Sequence, residues 1–383
     1  MTPTADRVTQ SLSSFISSLQ PAHTSRFCVQ ARTLVPVAQE RRTSNRKQRL
    51  FQPFPAFTPS TPLKLSDSTE RHTNDVLSLC LADSTLGNYG SSLAAFWRFC
   101  DLEGVPDSMR LPASEYLLCA FAASFAGTHV KGSVRNNLSA VRAWHVVQGT
   151  TWSGGARLGY VLNGIERLAP DGRPPRPPVT THMLELLHEH LKLGSPEEVC
   201  ALAAACTAFW SQSRLGELFA TSSSSFDPRR IPSRKHLSEL SSVTGTRTLN
   251  YPYTKTKRYA GDHTTIVWQL GCTDPLASLD FHLAVNNLPD HLPLFSYKTA
   301  FGHRCLTKKR FLFICNRVWQ QHGVPRTTGH SFRIGGTTEL LARGVNPSIV
   351  KVMGRWSSDA FLRYWRDLEE VVPIHAQKFY GRV

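Results

Sequence analysis

Two cations one helical turn apart, followed further along by a tyrosine, are the residues of this sequence best suited to chemistry on a phosphate. His330 and Arg333 stand at i and i+3 in the stretch H-S-F-R-I-G-G-T-T-E-L-L. If a helix has begun by His330, both side chains fall on one face. Two cations on one face pack poorly but hold an anion well. Gly344 stops that helix, and Asn346-Pro347 supplies the N-cap and first-turn proline of the next. The second helix runs to Gly354-Arg355-Trp356. Ser357, Ser358 and Asp359 then offer caps to a last helix, which carries Tyr364.

Such a set suits phosphodiester chemistry with a tyrosine nucleophile. Charge develops on the nonbridging oxygens of a reacting phosphate, and guanidinium groups hold it bidentately. An imidazole donates a hydrogen bond or moves a proton. A phenol forms a covalent phosphoester. Each half of the pattern is ordinary alone: HxxR pairs are common on surfaces, and a helical tyrosine commonly packs half-buried.

In order, H-S-F-R-I-G followed by G-R-W-S-S-D-A-F-L-R-Y resembles the C-terminal signature of the tyrosine recombinases, the integrase and Cre-like family of DNA breaking and rejoining enzymes. The variant is closest to the recombinases of DIRS-like retroelements and Crypton-type transposons. The resemblance implies His330 and Arg333 as the family's HxxR pair and Tyr364 as its nucleophile. The position between them stays open. Counting forward from Arg333 favours Trp356, and counting back from Tyr364 favours Arg355. Trp356, which stacks and donates one indole hydrogen bond, is preferred over the charged Arg355.

Upstream, S-R-L-G-E-L contains Arg214 and, three residues on, Glu217. By themselves they read as a local ion pair. The resemblance makes Arg214 the first phosphate-binding arginine and Glu217 its brace. It also implies a catalytic lysine on a mobile hairpin, acting as general acid to the leaving 5′ oxygen. Leu249, Tyr251 and Tyr253 alternate as in a strand, Lys255 to Asp262 makes a polar turn, and Thr264 to Trp268 returns. Lys255, at the strand end in P-Y-T-K-T, is the first candidate, and Lys257 the second. A polar insertion from Thr221 to Thr246 lengthens the spacing from Arg214.

The elements that must position these groups follow from the whole chain. Its 383 residues permit two domains with a sizeable core. A net charge of +16 favours a polyanionic partner. The nine cysteines form no CxxC pair, which gives zinc little support and suggests a reducing compartment. With no apolar run of membrane length and no signal pattern, the expectation is an intracellular protein without membrane contact, nuclear if eukaryotic and otherwise cytoplasmic. No RNA-recognition pattern is present to favour RNA.

Residues 1–72 are expected to be a largely disordered basic tail, with the run Arg41 to Arg49 as a localisation or backbone-binding patch. Residues 73–170 read as a helical domain. Its segments 84–99, 112–125, 133–147 and 157–168 carry helical apolar spacing. Arg135 and Arg142 share one helix face, and with Lys131 they are candidates for DNA phosphate contacts. The run D-G-R-P-P-R-P-P makes 171–180 a stiff linker, positive through Arg173 and Arg176. The resemblance makes residues 181–383 the catalytic domain.

The expected fold is mainly α with a small β-sheet. The resemblance implies a two-domain DNA breaking-rejoining enzyme, with an N-terminal helical core-binding domain and a C-terminal mixed α/β catalytic domain. It further implies site-specific strand exchange on double-stranded DNA through a 3′-phosphotyrosyl intermediate, without metal or cofactor, by a homotetramer on two duplexes. Integration or excision of a mobile element would be its purpose. A catalytically silent DNA-binding protein of transposon origin and a type IB topoisomerase are the alternatives.

Overall fold

A computed structural model describes residues 45–52, 54, 65–171 and 176–364, without the side chains of 363 and 364. Most of the expected basic tail, Arg173 and the C-terminal tail lie outside the described residues. The chain divides into two compact units, 1–173 and 174–383.

In the first unit, α1 (Asp67–Ser78) buries none of its side chains. The core comes from α2 (Asp83–Leu102), α3 (Glu115–Ala123), α4 (Lys131–Val147) and α5 (Ala156–Arg167), with α2 packed on α4 and α3 on α5. Trp144 of α4 lies at the centre, its ring 5.0 Å from Phe54, 5.9 Å from Trp97 and 6.2 Å from Phe96. Burial of such rings dominates the packing energy of a small helical domain.

Part of the expected N-terminal tail belongs to this core. Leu50 is wholly buried and Phe54 nearly so. The Arg49 guanidinium donates to the carbonyl of Gly90 at 2.9 Å, and Gln148 caps the carbonyls of Leu50 and Gln52. Gly90 is required there, because a Cβ would lie 1.8 Å from the Arg46 carbonyl oxygen. The sequence between prolines has no period, so only these long-range contacts define its place.

The core of the second unit is built around α7 (Pro196–Trp210), whose side chains are buried from Glu198 onward. Pro196 opens the helix and Glu197 and Glu198 lie in its first turn, where carboxylates favour the helix dipole. Packed on it are α6 (Thr181–His190), α9 (Pro275–Asn286), α10 (Lys308–Gln321) and α11 (Gly329–Ala342). Between α7 and α9 lie the short α8 (Leu215–Leu218) and an antiparallel hairpin of β1 (Arg247–Tyr251) and β2 (Asp262–Ile266). A second hairpin pairs β3 (Ser296–Thr299) with β4 (Gly302–Cys305). The last elements are α12 (Pro347–Met353) and a 3-10 helix, Asp359–Tyr364. Among the described residues no helix is long and apolar enough to cross a membrane.

Candidate active site

Arg214 owes its position to the way α7 ends. After Trp210 the backbone turns through Gln212, held left-handed at φ 50°, and Ser213 donates its N–H back to the Ala208 carbonyl. Arg214 then caps α8 in extended conformation. Glu217, one turn on, is buried and accepts from Arg214 Nη1 at 2.9 Å. The second Glu217 oxygen lies 3.0 Å from Nη1 of Arg355, in ion contact without hydrogen-bond alignment. Arg355 sits in the left-handed region at φ 54°, its guanidinium 3.8 Å over the Tyr251 ring. The Tyr251 hydroxyl in turn meets the Ser213 hydroxyl. Two arginines from distant segments are thus held by one carboxylate.

The HxxR pair lies at the start of α11. Thr328 and Ser331 form a capping box there, which fixes the first turn. Two glycines after Arg333 let the helix approach its neighbours. A Cβ on Gly335 would lie 1.9 Å from the Val179 carbonyl oxygen, and one on Gly336 1.9 Å from that of Phe209. This close approach sets Arg333 against the end of α7. Arg333 is wholly buried, donating through Nη1 to the Gln212 carbonyl and through Nη2 to the Gly354 carbonyl at 2.7 Å. The Trp356 ring covers its guanidinium at 3.7 Å, a cation–π contact in a dry setting.

His330 is half-buried, one turn before Arg333. Burial holds its pKa below the ordinary value, and the charges of Arg176, Arg333 and Arg214 lower it further. An imidazole so placed is neutral at pH 7. Arg176, expected as a linker contact to DNA, therefore also contributes to the field at this histidine.

Gln212 is the residue that sequence reasoning missed. Its side chain is wholly buried. Its Oε1 accepts from the Thr337 hydroxyl at 2.8 Å and from the Trp356 indole at 3.2 Å, and its Nε2 donates to the Val350 carbonyl at 3.3 Å. One amide thus ties α11, α12 and the Gly354–Trp356 turn to the end of α7. Gly354 permits this, since a Cβ there would lie 2.4 Å from Gln212 Oε1. The only local hint in sequence is a glutamine directly before the S-R-L-G-E-L turn.

The two positions left open between Arg333 and Tyr364 do different things. The indole of Trp356 shields Arg333 and donates to Gln212. The guanidinium of Arg355 is buried against Glu217 and Tyr251, and among the described residues its Nε and both Nη groups have no hydrogen-bond acceptor.

The candidate lysines lie in the turn that joins β1 to β2, where Thr254 and Arg258 pair. Lys255 is exposed, and its ammonium has no hydrogen-bond or ion-pair partner among the described residues. Lys257 is bound to Asp262 at 3.0 Å. The hairpin is tied to the C-terminal segment by the Thr264 hydroxyl, which donates to the Met353 carbonyl at 3.3 Å. Tyr364 is the last residue of the 3-10 helix. That helix is anchored by buried Phe361, whose ring lies 6.3 Å from Trp356, and by Lys351 bound to Asp359 at 2.7 Å.

In the first unit Arg135 and Arg142 are exposed on α4. Lys131 is not free on that face. Its ammonium is held by Glu166 at 2.6 Å and Asn163 at 2.8 Å. Among the described residues no group of three or more His, Cys, Asp or Glu side chains is placed to hold a metal ion.

No family model matches the sequence, and no curated protein matches it. Solved structures do. The chain is similar to a lambda integrase dimer bound to a COC′ core site, at 15% identity over 80% of this chain and 96% of that one, with a TM-score of 0.51. It is also similar to the XerH site-specific recombinase bound to a palindromic difH substrate in a post-cleavage complex. There the identity is 12%, over 82% of this chain and 85% of that one, with a TM-score of 0.52. At such identities the likeness is one of fold. The chain has the mainly helical, two-unit fold of the tyrosine recombinases and integrases, with small β-hairpins in the second unit.

Proposed function

We propose that the chain cleaves and rejoins DNA strands site-specifically, with Tyr364 as nucleophile. The observation that carries this reading is the meeting of two arginines at the end of α7, where Arg333 donates to the Gln212 carbonyl two residues before Arg214, with His330 one helical turn before Arg333. Arg176, Arg214 and Arg333, from three separate segments, all act on His330. Such a concentration of positive charge suits a phosphate that gains charge in its transition state.

In the proposed reaction the phenol oxygen of Tyr364 bonds to phosphorus and the bond to the 5′ oxygen breaks. His330, neutral at pH 7, takes the phenol proton, and Lys255 delivers one to the leaving oxygen. The 5′ hydroxyl of a partner strand then reverses these steps. Because the phosphotyrosyl bond conserves the phosphodiester energy, no cofactor is consumed. Arg214 binds the phosphate directly, being the more exposed arginine, with a side chain 29% accessible. Arg333 contributes its field from a buried position, where charge is weakly screened. Glu217 holds Arg214 in place, and Arg355 in turn pairs with Glu217.

Duplex DNA is the proposed partner, and a tetramer on two duplexes the active assembly. The R-I-G and G-R-W-S-S-D-A-F-L-R-Y wording points to a mobile-element recombinase of the DIRS or Crypton type, with a nuclear site of action in a eukaryotic host. One observation favours a DNA-binding protein without turnover: Arg333 is wholly buried, with both terminal nitrogens on backbone carbonyls.

The test is a nicked duplex pool of random sequence, in which a short leaving strand diffuses away after cleavage. A detergent-stable protein–DNA adduct that blocks the 3′ end supports strand transfer through tyrosine. An adduct on the 5′ end contradicts it, and duplex binding with no adduct across the pool favours the silent alternative.

A further inference from the structure

Beside the β1–β2 hairpin lies a groove of about 920 Å³ that the chemistry above does not use. One wall is the polar insertion before β1, through Arg229, Lys235 and His236. The other is the hairpin itself, through Tyr251, Lys257 and Tyr259.

The groove is basic and open to solvent. Asp262, the acid in its lining, is neutralised by Lys257, and Arg229 is bound to Asp227. Lys235 is exposed, and its ammonium has no partner among the described residues. His236 accepts at Nδ1 from the N–H of Ser233 at 3.0 Å, which leaves Nε2 as the donor of the neutral ring. Positive charge extends past the rim. Arg230 lies 4.8 Å over the Tyr253 ring, and Arg258 donates to the Tyr253 hydroxyl at 2.9 Å. The Tyr259 ring meets Tyr253 edge-on at 5.0 Å, yet is 63% exposed. Several cations spread along an open groove match the repeated charges of a sugar–phosphate chain better than a free small anion.

Tyr251 links this groove to the candidate active site. It lines the groove, while its hydroxyl meets Ser213 and its ring carries Arg355. Tyr251 is therefore shared between the groove and the turn that carries Arg214. We infer that the insertion and hairpin form a second DNA-backbone site, which grips the duplex flanking the phosphate held at Arg214. The inference rests on the DNA reading above and adds to it a role for the 221–246 insertion.

The experiment is a salt titration of the full chain on a fluorescent duplex of mixed sequence. Arg229→Ala/Lys235→Ala should flatten the dependence of log affinity on log salt by about 1.8, at about 0.9 for each phosphate that is no longer neutralised. Lys298→Ala, an exposed charge removed from β3, measures the effect of net charge alone and should change the slope much less. Thermal melting of each variant checks that the fold is kept. If wild type binds duplex steeply with salt but the double variant keeps its slope, the groove inference fails and the active-site reading stands. If wild type does not bind duplex at low salt, both fail. A wild-type preference for RNA or single strands, abolished in the double variant, would also overturn the duplex assignment.

Discussion

Glu217 divides its carboxylate between two arginines, one oxygen 2.9 Å from Arg214 Nη1 and the other 3.0 Å from Arg355 Nη1. Arg214 is partly exposed and Arg355 is buried, so one acid links a reachable cation to a hidden one. Removing that acid leaves two facing cations, one in a dry setting. Glu217→Ala should therefore destabilise the chain by about 3–5 kcal/mol, the range for a broken buried pair. Arg355→Ala should cost less, because Glu217 keeps Arg214. Urea unfolding of both variants tests this, and equal losses would count against the shared-carboxylate account.

His330 gives a pH prediction with a definite sign. Burial and then Arg176, Arg333 and Arg214 hold its folded pKa below the ordinary value. Below about 6.5 the unfolded chain therefore takes up this proton first, and stability falls with pH down through the lowered folded value. The limb of cleavage that reports neutral His330 should leave activity intact at pH 7 and fall on the acid side. Arg176→Ala removes one opposing charge and should move that acid limb to higher pH. A limb unchanged in Arg176→Ala, or still present in His330→Gln, would remove His330 from the proton step.

Arg333→Ala should lower cleavage of a selected duplex site by about 10²–10³, through loss of a fixed, weakly screened positive charge beside the developing anion. Duplex affinity should change little, since Arg333 is wholly buried and the phosphate contacts lie elsewhere. Both are read on the same site by adduct formation and by fluorescence titration. Normal cleavage at unchanged affinity would exclude Arg333 from the reaction.

Gln212→Ala removes the acceptor for Thr337 and Trp356 and the donor to Val350. Stability should fall by about 1–3 kcal/mol from the buried groups left unmatched. Gln212→Glu keeps the acceptor and should recover cleavage more fully than it recovers stability. Equal cleavage by the alanine and glutamate variants, both folded, would make Gln212 a packing residue only.

Local grammar made much of this molecule legible. Thr328 before the HxxR turn, Gly344 after it, and Asn346-Pro347 at the next start all act within a few residues, so the order of α11 and α12 could be read directly. The apolar spacing of α2 and α4 was equally plain. What escaped was fixed by contacts distant in sequence. Gln212 acquires its partners from Thr337, Val350 and Trp356. Leu50 and Phe54 become core only against α2 and Trp144. The pairing of Arg355 with Glu217 could not be seen by counting from either end of the motif, and Lys131 looked free because Glu166 lies on another helix. The β3–β4 hairpin was hidden by its length, four residues to a strand.

The central claim concerns one oxygen atom, the hydroxyl of Tyr364. The measurement is mass spectrometry of the peptide that carries the nucleotide after trapping on a nicked duplex site. Wild type should yield the nucleotide on Tyr364, with the 3′ end of the DNA blocked. Tyr364→Phe keeps the ring and should bind the same duplex with no adduct at all. Trp365 has no hydroxyl to substitute, and Ser357 and Ser358 precede the turn that leads into the 3-10 helix. An adduct that persists in Tyr364→Phe, or that maps to Tyr380 or either serine in wild type, would contradict the account.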